Sequence, residues 1–387
     1  MVRTPLESVL GLLLLVIPLG YYALYAFTIR ALSKAKTESI RSNPDFMPFV
    51  SVVIPTYNEI KMIERRVKNF DSLEYPHDQM EVIFVDGKST DGTAELINRL
   101  RSGGREYIRL VQQSSRQGYN SAIYEGICQA RSDIVVTGEA GSFFHPKAIA
   151  SVVRHLADSS TGVATGKSVL YNPDESLATR LEAAYRDTHD ALRLSESVVD
   201  STPDMKGELL AFRKEVGLKL QPRVTLPDSA SFDMSISYLS RSLGLRAVFE
   251  PDAIFYEYAP RTMRERMIVQ IRRGTAFTGA LWNFRSMMLR RKFGYFGTLI
   301  APSHALILIV FPWMLLIAPF VLMAESLNNP LAGAIVLSLG IVALLYGKLR
   351  YRFLSFVFSQ IVLGIATIRL LLRRHTQIID TVTTARR

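Results

Sequence analysis

Cysteine is almost missing. Cys128 is the only one in 387 residues, which excludes an intramolecular disulfide and any cysteine-based zinc cluster. The six histidines are scattered, without metal-ligand spacing. Internal repeats and low-complexity segments are missing as well. Acidic residues are in deficit: 46 Lys and Arg stand against 35 Asp and Glu, a formal charge of +11. Much of that excess sits beside apolar runs and forms no aromatic-interleaved groove. It therefore points to anionic headgroups or a phosphorylated substrate and away from nucleic acid.

What is there, first, is apolar sequence of membrane-spanning length. Residues 6–29 form one run, closed by Arg30, Lys34 and Lys36, and spanning takes about 20 such residues. A cleaved signal peptide fits less well, because Arg3 is the only basic residue before the run and no small-x-small cleavage site is evident. Three further apolar stretches, 296–323, 332–346 and 353–372, follow the polar middle, each able to span or lie re-entrant. Residues 325–329 carry no Lys or Arg, whereas 285–292 and 348–352 are basic. The positive-inside rule then places the middle domain in the cytoplasm of a multi-pass cell-membrane protein. If the last stretch spanned fully, Arg373, Arg374, Arg386 and Arg387 would lie outside, so one C-terminal segment is expected to be re-entrant or interfacial. The expected division is an N-terminal membrane helix and linker (1–36), a catalytic-type domain (37–262), amphipathic interfacial helices (263–294) and C-terminal membrane segments with a basic tail (295–387).

The middle domain reads as alternating strands and helices. Residues 50–54 are a Val/Ile-rich run that enters the turn Pro55-Thr56-Tyr57-Asn58-Glu59. A second run, 81–85, empties into Asp86-Gly87-Lys88-Ser89-Thr90-Asp91-Gly92-Thr93. Helix 94–100, strand 107–111, helix 121–130 and strand 133–137 continue the series, hence a mostly parallel α/β sheet. Ligands of such sheets sit at the carboxyl ends of the strands, so both acid-bearing turns are expected to face one. Gly87, Gly92 and Thr93 need do no more than shape their turn.

These two motifs together resemble the GT-A domain of glycosyltransferase family 2, the processive and lipid-linked sugar transferases, over residues 49–274 and in the membrane arrangement. The resemblance implies that Pro55, Thr56, Tyr57, Glu59 and Asp86 hold the base and ribose of a nucleotide-sugar donor. Many members carry a lysine after the glycine of the next loop, reaching the phosphates. Here that place is Tyr119, within a Gly118-Tyr119-Asn120-Ser121-Ala122-Ile123 segment closer to the exopolysaccharide-type variant. Arg116 could supply the cation or be a solvated surface arginine.

The family's Asp-x-Asp, which holds a divalent cation against the donor diphosphate, corresponds here to Glu139-Ala140-Gly141. One carboxylate of two remains; Mg²⁺ or Mn²⁺ can be held by one carboxylate with phosphates and waters, or Glu139 can simply cap its turn. Residues 205–213 resemble the acceptor-side segment, which implies acceptor contacts for Gly207 and Glu208. The family's general base is the second member of an acidic pair lying eleven residues before a glycine that leads into an RVVFEP-like strand. Counting back from Gly244 gives Asp233, with Phe232 in place of its partner. A carboxylate beside an aromatic ring is desolvated, which raises its pKa and suits a base. Asp233 is also placed to N-cap a helix over 234–243, and the two roles are compatible. Asp228 is the reserve candidate.

Gln270-Ile271-Arg272-Arg273-Gly274 follows the family's Gln-x-x-Arg-Trp motif except for Gly274, with Trp282 downstream. This implies a catalytic place for Gln270 and Arg273 beside the leaving diphosphate. Arg272 reads as one of the cations of a basic amphipathic stretch, 267–289, lying along the membrane face. The implied activity is inverting transfer of a sugar from a nucleotide-diphosphate donor to a lipid-linked or growing saccharide acceptor. The rival reading, prompted by Tyr119, Gly141, Phe232 and Gly274, is a catalytically silent binding or scaffold subunit.

Overall fold

The computed structural model describes residues 10–36, 40–227, 229–326 and 347–372, together with 334, 338 and 345. Asp228 and most of the apolar stretch 332–346 lie outside the described residues. The strands are β1 Val50–Thr56, β2 Met80–Asp86, β3 Ile108–Gln112, β4 Ile134–Gly138, β5 Phe143–Phe144, β6 Thr161–Leu170, β7 Leu209–Arg213 and β8 Arg246–Glu257. They join in one sheet, ordered β3-β2-β1-β4-β7-β6-β8-β5. β1 pairs in parallel with β2 and β4, β2 with β3 and β6 with β8, while β7 runs antiparallel to both β4 and β6 and β5 antiparallel to β8. The sheet is therefore mixed, with its parallel half built from the first strands of the chain.

Helices α2 Ile60–Asp71, α3 Thr93–Ser102 and α4 Tyr119–Gln129 cover that half, while α5 Ala148–Val153 packs against β8, β6 and β7. A parallel strand covered on both faces has no polar side to show, and β2 is buried at every residue. Alternate side chains split between two layers. Val52, Ile54, Val82 and Phe84 join Ile63, Val67 and Phe70 of α2; Val53, Ile83 and Val85 join Ile123 and Ile127 of α4. Gly126 allows α4 to come this close, since a Cβ there would stand 2.2 Å from the Val53 Cγ1.

The second half adds α6 Leu177–Val199, α7 Lys214–Gly217, α8 Phe232–Ser242 and α9 Met263–Asn283, after an N-terminal α1 Leu10–Ala35. Among the described residues, three helices are long and apolar enough to cross a membrane: Leu10–Ala35, Phe296–Glu325 and Arg350–Leu371. Polar contacts tie them to the domain. Glu196 of α6 accepts from the Tyr25 hydroxyl at 2.6 Å and lies 2.8 Å from the His304 ring, and Lys36 donates to the Val199 carbonyl at 2.8 Å. The helix containing Arg350–Leu371 runs along α9: Ser355 and Phe358 meet Arg266, and Ala366 meets Gly274.

Candidate active site

Because β2, β1 and β4 are parallel neighbours, Thr56, Asp86 and Gly138 end at one edge of the sheet. β7 runs the other way, so its first residues, after Gly207 and Glu208, return to that edge, where Leu209 pairs with Gly138. β8, parallel to β6, ends there with Glu257. Three carboxylates far apart in sequence, Glu139, Glu208 and Glu257, thus arrive together without any local motif.

A cleft of about 1350 Å³, counting its open mouth, lies over this edge. It is lined by Pro55, Thr56, Tyr57 and Glu59 at the end of β1, by Arg116 before α4, by Glu139 and Gly141 after β4, and by Gln270, Arg272 and Arg273 of α9. The Arg116 guanidinium stacks on the Tyr57 ring at 3.8 Å. Asp86 plays a different local part from the one expected. It is fully buried, and its carboxylate accepts from the Ser89 backbone N–H at 3.0 Å and from the Ser89 hydroxyl, so it shapes the turn and is not among the residues lining the cleft. Asn58 braces the same turn by accepting from the Thr90 N–H at 2.9 Å.

α9 presents Arg266, Gln270 and Arg273 on one face, at the i, i+4 and i+7 spacing that a helix requires. They converge on Glu182 of α6, which accepts from Gln270 Nε2 at 2.7 Å, Arg266 Nε at 3.3 Å and Arg186 Nε at 3.1 Å. Burial alone would raise this carboxyl, yet Arg186, Arg273 and Arg266 hold it down at about 2. Arg273 Nη2 donates to Glu208 Oε1 at 2.9 Å and lies 3.8 Å from Glu257. Glu139 is affected in the opposite direction. Burial first, then Glu208 and Glu257, raise it to about 7, against the pull of Arg272 and Arg273.

Asp233 is the second residue of α8. The capping position is Ser231, so the N-cap role expected for Asp233 does not hold; its Oδ1 accepts from the Met234 N–H at 3.0 Å instead. Burial raises its carboxyl, with Glu208 adding to the effect and the Met234 N–H opposing it. It stands behind the cleft wall rather than on it. A Cβ placed on Gly207 would lie 3.0 Å from the Tyr119 hydroxyl and 3.7 Å from Asp233 Oδ2, so Tyr119, Gly207 and Asp233 meet at one point. Gly207 and Glu208 are likewise next to the cleft without lining it.

Sequence reasoning missed Glu182, Arg186, Arg266 and Glu257, and took Arg272 for a surface cation. Arg272 lines the cleft. The Glu182–Arg186 pair at i, i+4 has the spacing of an ordinary exposed helix pair, so nothing in it signalled burial.

Residues 51–216 match the profile of the family described as Glycosyl transferase family 2. A solved structure superposes over 95% of this chain and 100% of its own, with a TM-score of 0.81 and 26% identity: the mannosyltransferase PcManGT from Pyrobaculum calidifontis, in complex with GDP-Man and Mn²⁺. Over residues 51–216, less than half of its length, the chain is similar to glycosyl transferase family 2. The chain is also similar to the probable glycosyltransferase YdaM of Bacillus subtilis, 30% identical over 144 residues, which are 36% of this chain and 34% of that protein. It is 23% identical over 242 residues to the poly-beta-1,6-N-acetyl-D-glucosamine synthase of Staphylococcus aureus, covering 62% of this chain and 57% of that protein. The chain thus spans between about a third and somewhat over half of these curated relatives' lengths. Its mixed α/β sheet is the GT-A sheet, and its three apolar helices fit membrane spans.

Proposed function

We propose that this chain is a family-2 glycosyltransferase, an inverting membrane enzyme moving a sugar from a nucleotide-diphosphate donor to a lipid-linked or saccharide acceptor on the cytoplasmic side. The observation that carries the reading is one cleft lined together by the Pro55–Glu59 turn, Glu139 and the Arg272–Arg273 pair. A nucleotide fits at the Pro55–Glu59 turn, where Tyr57 and Arg116 offer a stacked aromatic and a cation. The diphosphate then falls toward Arg272 and Arg273, whose charge offsets the charge that develops on it as it leaves.

In this reading the acceptor oxygen attacks the anomeric carbon while the bond to the diphosphate breaks, and the acceptor proton passes to Asp233. One displacement inverts the configuration and needs no enzyme nucleophile. A raised pKa suits Asp233 to that role, since a base works best when its pKa approaches the working pH.

A divalent cation fits at Glu139. The carboxylate is crowded by Glu208 and Glu257, and hard oxygen donors suit Mg²⁺ or Mn²⁺. Among the described residues no three acidic, histidine or cysteine side chains close a metal site by themselves, so Glu139 would hold the ion together with the donor's phosphates. When bound, the ion supplies further positive charge at the leaving diphosphate. The neighbouring PcManGT structure contains both GDP-Man and Mn²⁺, which supports a nucleotide sugar and a cation as ligand classes here. The experiment is a screen of labelled nucleotide sugars in membranes containing the protein, with and without Mn²⁺. Transfer of label to lipid or polymer supports the reading, and an inert panel defeats it in favour of a silent subunit.

A further inference from the structure

A second cavity, of about 1310 Å³, lies between α6, α9 and the three apolar helices. Gln270 and Arg273 line it as well as the catalytic cleft, so the two spaces meet at the face of α9. Its membrane-side walls are Tyr22 of α1, Ile307 and Leu308, and Phe356, Val362 and Leu363. Gly274 belongs to the same wall, where the α9 backbone comes so close to the third apolar helix that a Cβ would stand 3.2 Å from Ala366.

The charged lining is of one sign. Among the described residues, Lys206, Arg273 and Arg352 face this space and no carboxylate does, whereas the cleft mixes both signs, with Glu59, Glu139, Glu182 and Glu257 among its arginines. Lys206 is 9% exposed, and among the described residues its ammonium has no hydrogen-bond or ion-pair partner. Asp204, two residues earlier, is taken by Arg193 at 2.5 Å. An ammonium kept in a largely apolar space without a carboxylate in direct contact is costly. Burial, and next Arg193, lower its pKa, while Asp204 opposes them, so an anion beside it would be strongly favoured.

We propose that this cavity seats the acceptor, an amphiphile whose phosphate-bearing headgroup is held by Lys206 and Arg352 and whose apolar chain lies against Phe277, Phe356 and Val362. The proposal rests on the transfer reading above and narrows it to a lipid phosphate. A growing neutral saccharide would leave Lys206 uncompensated and the apolar wall without a partner. The acceptor's reacting oxygen then approaches the cleft past Gln270 and Arg273, beside Gly207 and Asp233.

The test measures retention of radiolabelled hexadecyl phosphate by the full-length protein purified in a neutral detergent. Saturable binding is expected, not displaced by inorganic phosphate or by hexadecanol. Lys206→Met should weaken it roughly tenfold or more, the scale of a charge-assisted contact in an apolar site, and Lys206→Arg should retain it. Ser359→Trp, which fills the opposite wall, should weaken it independently and decides the matter if Lys206→Met does not fold. Nucleotide-diphosphate binding in the cleft should persist in both. Unchanged binding by Lys206→Met and Ser359→Trp, equal displacement by inorganic phosphate, or equal displacement by hexadecanol would each overturn the proposal. Retention of hexadecyl phosphate with no nucleotide-sugar turnover would defeat the transfer reading alone; turnover onto a lipid-free saccharide without retention would defeat the lipid site alone.

Discussion

Arg273 on α9 and Glu208 before β7 are joined by a hydrogen bond of 2.9 Å between unlike charges, which fixes α9 against the edge of the sheet where β1, β2 and β4 end. Glu208 is one of the groups that raise Glu139, so the pair also connects α9 to the proposed cation site. Glu208→Gln should cost about 1.5–3 kcal/mol, the range for a hydrogen bond to a charged partner, and should lower the pKa of Glu139. Thermal unfolding in detergent and a pH–activity profile check this. An unaltered melting temperature would mean that the contact contributes nothing to holding α9.

Glu139 makes stability depend on pH in a definite direction. Its folded-state pKa, about 7, lies above its ordinary value of 4.5, so the folded protein holds a proton that the unfolded chain has released. Stability should therefore fall as pH rises from about 4.5 to about 7 and then level off. Glu139→Gln removes that loss, leaving the variant equal to the parent at pH 4 and more stable at pH 8. Added Mn²⁺ should raise the parent's melting temperature at pH 8 and leave the variant's unchanged. Parallel profiles for the two proteins would remove Glu139 from this role, as would equal activity in chelator and in metal.

Tyr57 and Arg116, stacked at 3.8 Å, should act on the nucleotide as a unit. Substituting either by Ala is expected to weaken nucleotide-diphosphate binding by about fivefold, consistent with roughly 1 kcal/mol for a cation–π contact. The double variant should lose less than the product of the two, because each removes the other's partner. Calorimetric titration of the three variants measures this; full additivity would show that the two side chains bind separately.

Much of this site was legible because its parts are consecutive. The β1 and β2 turns, the Glu139 turn and Gln270 to Arg273 are short segments whose chemistry sits within a few residues, and the apolar runs 6–29, 296–323 and 353–372 announce themselves by length. Glu182, Glu257 and Arg272 were not legible. Their roles depend on α6 and β8 arriving beside α9, which is a tertiary fact with no local pattern. Asp86 illustrates the converse: the motif was evident, but the Ser89 contacts that occupy its carboxylate belong to the folded turn. The cap at α8 moved from Asp233 to Ser231 because the helix begins two residues earlier than its apolar periodicity suggests.

Topology can be read with the chain's own thiol. Cys128 is exposed on α4, so a membrane-impermeant maleimide should fail to label it in intact cells and label it after permeabilisation. Cysteines introduced at Lys88 or Glu95 should behave alike. Efficient labelling from outside would overturn the proposed cytoplasmic placement of the domain.

The most direct test of the proposed chemistry is the transfer rate of Asp233→Asn, measured at saturating donor alongside donor affinity. Asn preserves size and the contact to the Met234 N–H, and loses only a charge in the first helical turn, so stability should change by about 1 kcal/mol or less. The account predicts a fall in transfer of roughly 100-fold or more, the scale of a positioned general base, with donor affinity near that of the parent because the nucleotide is held by Tyr57 and Arg116 on other elements. A folded Asp233→Asn variant that transfers sugar at close to the parent rate would contradict the account.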